Sequence, residues 1–276
     1  MQTLTLNDGH RIPVIGFGTY RGIGEEGTKA VAKAVEIGYR LIDTAAVYQN
    51  EKEVGEGIRQ SGIDRNEIFL TSKLARNKLG YSSAKEELEK SLDRLKVDYV
   101  DLYLIHWPAN ARNFSHWKEV NNETWRALEE CQKEGKIKSI GVSNFWPEHL
   151  NPLLDSCEII PSVNQIEFHP GYRQTEVVQF CTEKNILIEG WSPLAKGQPL
   201  KNGTIRRMAE KYKKTEAQIC LRWATEQKVI PIPKSVHPKR IMENFQIFDF
   251  KLSKEDIHTI NEMPQMGFSG ELPNDW

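Results

Sequence analysis

The chain has 276 residues, 39% of them apolar and 27% charged, with a formal net charge of −1. That length buries a substantial core as one α/β domain or two small ones. A charge so near zero excludes nucleic acid or an anionic membrane as the main partner, while leaving room for a local basic pocket that takes a small anion.

Taken in chain order, TLTLNDGHRIPV places Asn-Asp-Gly between two short extended runs and predicts a small hairpin within residues 1–13. Eight β-branched or apolar runs succeed it: VIGFGTY from Val14, YRLID from Tyr39, IFLTSK from Ile68, VDLYLIH from Val100, IKSIGVSN from Ile137, PSVNQIEFH from Pro161, ILIEGWSP from Ile186 and VIPIPKS from Val229. They are apolar on both faces rather than alternating, which marks strands covered on both sides, as in a parallel sheet. The spacers carry helical periodicity, first in Ala30, Val31, Ala34 and Val35, then in Leu88, Leu92 and Leu95, then in Trp125 and Leu128. Capping boxes are expected at Asn50 with Glu53, Ser83 with Glu86, and Thr215 with Gln218. No linker, low-complexity tract or shift of composition divides the chain. Eight strand-helix units in about 250 residues predict a single-domain α/β fold, a (β/α)8 TIM barrel, rather than two doubly wound halves.

One stretch invites a different reading. YRGIGEEGTKAVAKAV holds Gly22, Gly24 and Gly27 in the spacing of a dinucleotide-binding fingerprint, and Asp43 stands about twenty residues later. Glu25 and Glu26 lie between the second and third glycines, however, and two carboxylates within several Å of two phosphate charges cost about 1 kcal/mol each. The glycines are therefore read as a flexible strand-to-helix connection.

In a barrel, chemistry collects where the strands finish. The residues finishing these runs are Thr19, Asp43, Lys73, His106, Asn144, Gln165, Ser192 and Lys234. Each has a bland reading on its own, as a cap, a solvated amine or a satisfied imidazole. Asp43, Tyr48, Lys73 and His106, delivered to one rim by three successive units, are harder to read that way. His169 has no second ligand at metal spacing and is read as structural, and no metal site is expected. His10, His116, His149, His237 and His258 fall in loops or on helix surfaces, and SAKEELEKSLDR reads as a solvated helix face with i,i+4 pairs. Cys131, Cys157, Cys181 and Cys220 fall in helical patterns without a C-x-x-C and are expected to be buried, reduced thiols. No apolar run approaches the roughly 18 residues of a membrane span, and MQTLTLNDGHR lacks a signal-peptide core, so a cytoplasmic protein is expected.

From residue 16 to 246 the motifs GFGTY, DTAAVYQNEKEVGEGI, LDRLKVDYVDLYLIHWP, GKIKSIGVSNF, NQIEFHP, WSPLAKG and IPKSVHPKRIMEN stand in sequence. In content and order they resemble those of the aldo-keto reductases, and in length the shorter, bacterial-type members. The resemblance implies a barrel that binds NADPH (NADP+) in extended form across its strand ends, with no Rossmann domain, and places the family's catalytic four on Asp43, Tyr48, Lys73 and His106. It implies a cofactor contact from Thr19, nicotinamide contacts from Ser143, Asn144, Gln165 and Trp191, pyrophosphate contacts around Ser192 and Leu194, a 2′-phosphate pocket of Lys234, Ser235 and Arg240, and residues Glu243 and Asn244 near the adenine. Asp43 is then matched as a catalytic residue rather than a ribose reader.

The residue types suit that chemistry. Reducing a carbonyl requires hydride at carbon and a proton at oxygen. Tyr48 is the expected acid, Lys73 the cation that brings its phenol nearer the working range, Asp43 the partner of Lys73, and His106 a hydrogen-bond donor to the carbonyl oxygen. Tyr20, Val47 and Trp107, with the loop ANARNFSHWKEVN and a tail over residues 264–276, are expected to line the substrate mouth. Ala75 stands where many relatives place an aromatic, which is expected to widen the pocket. A small-molecule carbonyl substrate and a monomer are expected. Two other readings stay open: a protein that binds NADPH without turnover and serves in interaction, and a hydrolase or lyase using Lys73 as a Schiff-base nucleophile.

Overall fold

The structure is a computed structural model and describes residues 2–275. Met1 and Trp276, the outer ends of the expected hairpin and tail, lie outside the described residues. β1 (Thr3–Thr5) and β2 (Arg11–Pro13) pair antiparallel around Asn7, Asp8 and Gly9, with Leu4 opposite Ile12. Leu6 and Ile12 are buried against Leu41, Leu102, Leu104, Val163 and Ile230, so the hairpin stoppers one end of the parallel sheet to which those residues belong.

That sheet has eight strands: β3 (Phe17–Gly18), β4 (Leu41–Asp43), β5 (Phe69–Leu74), β6 (Val100–Ile105), β7 (Ile137–Ser143), β8 (Val163–Glu167), β9 (Leu187–Trp191) and β10 (Val229–Pro231). Each pairs with the next in chain order. The sheet closes on itself where Gly16 N donates to Pro231 O and Gly18 N to Pro233 O, both at 3.0 Å. A side chain at Gly18 would place its Cβ 2.8 Å from Ile232 O, so the seam needs glycine to close. Seven of the eight strands fall within the runs read from the sequence, and β5 overruns its run by one residue, Leu74.

The helices wrap the outside: α1 (Gly24–Ile37), α2 (Glu51–Gln60), α3 (Tyr81–Leu95), α4 (Trp117–Lys133), α5 (Pro147–Leu154), α6 (Thr175–Glu183), α7 (Gly203–Tyr212), α8 (Glu216–Glu226), α9 (Pro238–Phe245) and α10 (Lys254–Asn261). Ala30, Val31, Ala34 and Val35 of α1, Leu88, Leu92 and Leu95 of α3, and Trp125 and Leu128 of α4 turn inward into one apolar layer between helices and strands. A second, smaller layer fills the barrel itself. Two layers account for strands that carry no polar alternation. Among the described residues, no helix is long and apolar enough to cross a membrane.

Local details depart from expectation. Thr215 and Gln218 form the expected capping box. Ser83 instead lies inside α3, its hydroxyl donating to Leu79 O at 2.7 Å, because Gly80 takes the N-cap position. Asn50 holds the N-cap position of α2, but its side chain is used elsewhere, and Glu53 accepts from Gly24 N of α1. The face of α3 expected to be solvated is partly buried: Arg94 donates to Glu87, Ser91 and the enclosed Glu51, and Lys85 reaches across to α4 rather than along its own helix. Cys157 lies beyond the end of α5 and is half-buried, whereas Cys131, Cys181 and Cys220 are buried in helices. His149 is buried, not on a surface, because it bonds the N-cap of its helix and Asn274 of the tail. The tail is also held by Asn110 Nδ2, which donates to Pro273 O, and by Glu167, which accepts from Ser269.

Candidate active site

β4 ends on Asp43, which pairs in register with Thr71, and Lys73 stands two residues later on the same face of β5. Lys73 has no exposed surface. Its ammonium donates to Asp43 Oδ1 over 2.6 Å and to Thr44 O over 2.9 Å. The same nitrogen lies 5.0 Å from the centre of the Tyr48 ring. That ring sits 5.7 Å from the imidazole of His106, edge-on at 76°, and 5.1 Å from the ring of Tyr20. The four side chains singled out in the sequence therefore meet at one place on the rim.

Tyr48 arrives on a short 3-10 turn, Ala46–Tyr48, just before α2. Asn50 fixes that turn. It is wholly buried, its Nδ2 donates to Thr19 O at 2.8 Å and Gly22 O at 2.9 Å, and its Oδ1 accepts from Thr44 at 2.9 Å. This one amide thus sews the loop after β3 to the loop after β4. It also accounts for part of the glycine-rich stretch, since a Cβ on Gly27 would fall 2.4 Å from Gly22 O. Gly22 and Gly27 serve close packing of a turn and Gly24, at φ 60°, its left-handed backbone, with Glu25 and Glu26 on the first turn of α1.

The electrostatics differ from expectation in one respect. Burial disfavours the Lys73 ammonium, but Asp43 foremost, together with Tyr48 and Glu189, outweighs it and lifts the lysine above its ordinary range. For Tyr48, burial pushes the phenol up, Lys73 pulls it down, and Asp43 and Tyr20 push it up; the net direction is upward. Lys73 acts with the expected sign, yet desolvation wins. Burial, reinforced by Lys73 and Arg76, drives His106 well below the usual histidine range, so its imidazole is neutral.

Around this centre lie the residues matched to a cofactor. Ser143 ends β7 and donates to Gln165 O at 2.8 Å. Asn144 is next, in a left-handed conformation, φ 61°, with its Nδ2 donating to His106 O and Ser143 Oγ and its Oδ1 accepting from Trp191 Nε1 at 2.8 Å. Gln165 Nε2 donates to Asp43 Oδ2 and Glu189 Oε2. Thr19 is buried and its hydroxyl donates to Asp43 O. Ser192, also left-handed at φ 52°, opens the loop in which Leu194 packs on the core. Lys234 and Ser235 lie just beyond β10, and Arg240, Glu243 and Asn244 lie on α9. Asn244 is buried, and Glu243 accepts from Thr215 at the start of α8. Partial burial, with Arg21 nearby, depresses the Lys234 ammonium despite the opposing pull of Glu26. A partly desolvated ammonium with a guanidinium nearby, beside a strand end, is a donor set suited to a phosphate dianion. The arrangement fits an extended dinucleotide, with amide and indole groups at one end and Lys234, Ser235 and Arg240 at the other.

Tyr20 and Val47 stand open at the rim, 54% and 48% exposed, and Trp107 is half-buried. Ala75, where a widened pocket is expected, is itself buried. His169 is enclosed and bonds Glu167 and Pro170 O; among the described residues, no group of three or more His, Cys, Asp or Glu side chains is placed to hold a metal. Sequence reasoning missed Arg21, Asn50 as a tie, and Glu189. The signals were present: a cation directly after GFGTY, and an acid inside the otherwise apolar ILIEGW.

Known proteins point the same way. A family model described as the aldo/keto reductase family matches residues 14–264. The chain is 46% identical over 274 residues to the glyoxal reductase of Bacillus subtilis, covering 99% of this chain and 96% of that protein. It is 42% identical over 264 residues to the methylglyoxal reductase DkgA of Escherichia coli, covering 95% and 93%. A crystal structure of a Gox0644 variant in complex with NADPH superposes with a TM-score of 0.93 at 41% identity, covering 100% of this chain and 98% of that one.

Proposed function

This chain belongs to the aldo/keto reductase family and is an NADPH-dependent oxidoreductase, and from that premise we propose that it reduces small α-oxoaldehydes, with Tyr48 as the acid that protonates the carbonyl oxygen. The observation that carries the reading is the meeting of Asp43, Lys73, Tyr48 and His106, with Lys73 Nζ 2.6 Å from Asp43 Oδ1 and 5.0 Å from the Tyr48 ring. NADPH, when bound, supplies the hydride.

The chain's own groups do the rest. A phenol held above its ordinary range keeps its proton throughout the physiological window, so Tyr48 is charged with a proton before substrate arrives. The Lys73 ammonium beside it stabilises the phenolate left behind, and Asp43 holds that ammonium in place and in its charged form. His106, neutral and capable of one N–H, orients the carbonyl oxygen without adding a second cation next to Lys73. Ser143, Asn144, Gln165 and Trp191 would hold the nicotinamide end, and Lys234, Ser235 and Arg240 the 2′-phosphate. The neighbouring groups Tyr20, Val47 and Trp107 would meet the substrate.

The lysine chemistry also argues against a Schiff-base enzyme. Such a nucleophile needs a free, depressed amine, whereas Lys73 is enclosed, doubly bonded by acceptors and raised. The deciding experiment is consumption of NADPH with glyoxal, methylglyoxal, simple aldehydes, ketones and aldoses. Turnover of the α-oxoaldehydes at higher kcat/KM than the aldoses is expected; equal or reversed preference would remove the substrate assignment.

A further inference from the structure

Glu189 is an acid in the middle of β9, wholly enclosed, and it takes no part in the proton transfer from Tyr48. Residues two apart on a strand share a face, so Glu189 stands one layer below Trp191 on the inside of the barrel. Gln165 Nε2 gives one hydrogen to Asp43 Oδ2 at 2.8 Å and the other to Glu189 Oε2 at 3.0 Å. A side-chain amide has two hydrogens to give, and both are used. Its oxygen makes no hydrogen bond among the described residues. Turning the amide over would set that oxygen against the Asp43 carboxylate, which has no donor to offer it.

We propose that Glu189 is a positioning residue: together with Asp43 it clamps the Gln165 amide so that the amide oxygen is presented to the N–H of the nicotinamide carboxamide. The inference rests on reading Gln165 as the partner of that carboxamide. Asp43 alone would leave one Gln165 hydrogen unmatched and the amide free to rotate. The charged groups facing Glu189 are Asp43 of β4 and Lys73 of β5. Burial, and then Asp43, push the Glu189 carboxyl up to about 8. It is therefore uncharged at neutral pH, and the clamp does not set two like charges across one amide. Glu189 Oε2 accepts from Gln165, and Oε1 has no hydrogen-bond partner among the described residues.

The test uses the whole protein and two cofactors, NADPH and its 3-acetylpyridine analogue, in which a methyl replaces the carboxamide NH2 while the phosphates and adenine are kept. Dissociation constants are measured for the wild type, E189L, E189D and E189Q, with thermal unfolding and binding of 2′,5′-ADP as checks on fold and on the adenosine end. The wild type should prefer NADPH by about tenfold, the size of one hydrogen bond. E189L, which has no acceptor, and E189D, which withdraws the acid by one methylene, should prefer it by about twofold or less, with 2′,5′-ADP binding unchanged. E189Q, whose amide oxygen still accepts from Gln165, should keep the preference. A preference that persists in E189L or E189D, or that is lost in folded E189Q, overturns the clamp alone. A wild type without the preference overturns the reading of Gln165, and the clamp with it.

Discussion

Tyr48 sits between opposing forces: burial favours its neutral form and Lys73 its phenolate. The tyrosine hydroxyl matters only if it transfers a proton, so Tyr48→Phe is expected to lower kcat by about 10²–10⁴-fold while leaving NADPH affinity nearly intact. Equal turnover in a stopped-flow or steady-state assay would take the acid away from Tyr48. At the other end of the expected cofactor path, the Lys234 ammonium is depressed by partial burial and, to a lesser extent, by Arg21, a cost that an incoming phosphate would relieve. Lys234→Ala with Arg240→Ala should therefore erode the preference for NADPH over NADH by about tenfold or more, read as the ratio of kcat/KM for the two cofactors. An unchanged ratio would place the 2′-phosphate elsewhere.

At the scale of elements, the strands were legible because a run of four to eight residues apolar on both faces suits a strand covered on both sides, and the rim residues because each run ended on a polar group. What stayed hidden were side chains whose partners are distant in sequence. Asn50 is the clearest case: Asn-x-x-Glu is a capping pattern, yet the amide is consumed by Thr19, Gly22 and Thr44 across two loops, and no local spacing encodes that. Arg94 likewise looked like one cation among many on a charged helix, until folding set Glu51 of α2 beside it. Glu189 was visible as an odd acid in an apolar strand, but its partners come from β4 and β8. Asn50→Ala should cost about 1–3 kcal/mol, because it leaves buried carbonyls unmatched. It should also loosen the turn that carries Tyr48, so kcat is expected to fall while the Kd for NADPH changes less. A variant as unstable as this but with wild-type kcat would mean that the tie serves stability only.

For the molecule as a whole, Glu189 also ties stability to pH. Its carboxyl is raised from 4.5 in the unfolded chain to about 8 in the fold, so the folded state holds the proton more tightly. That contribution is complete below the unfolded value and disappears as pH rises through the folded one. The wild-type melting temperature should therefore decline relative to that of E189Q between about pH 5 and about pH 9, with the two curves parallel if the carboxyl titrates normally. The barrel is also unevenly fastened. β3 contributes two residues, and closure depends on Gly16 and Gly18 donating to Pro231 and Pro233. Short edges with few bonds open first, so in hydrogen-deuterium exchange the amides of Gly16 and Gly18 should label before those of β5 to β7. Thr19 and Lys234 flank this join from opposite sides, so any ligand that engages both acts as a rivet across the weakest joint of the ring, and its arrival should be visible as slowed labelling there even in variants that cannot turn over.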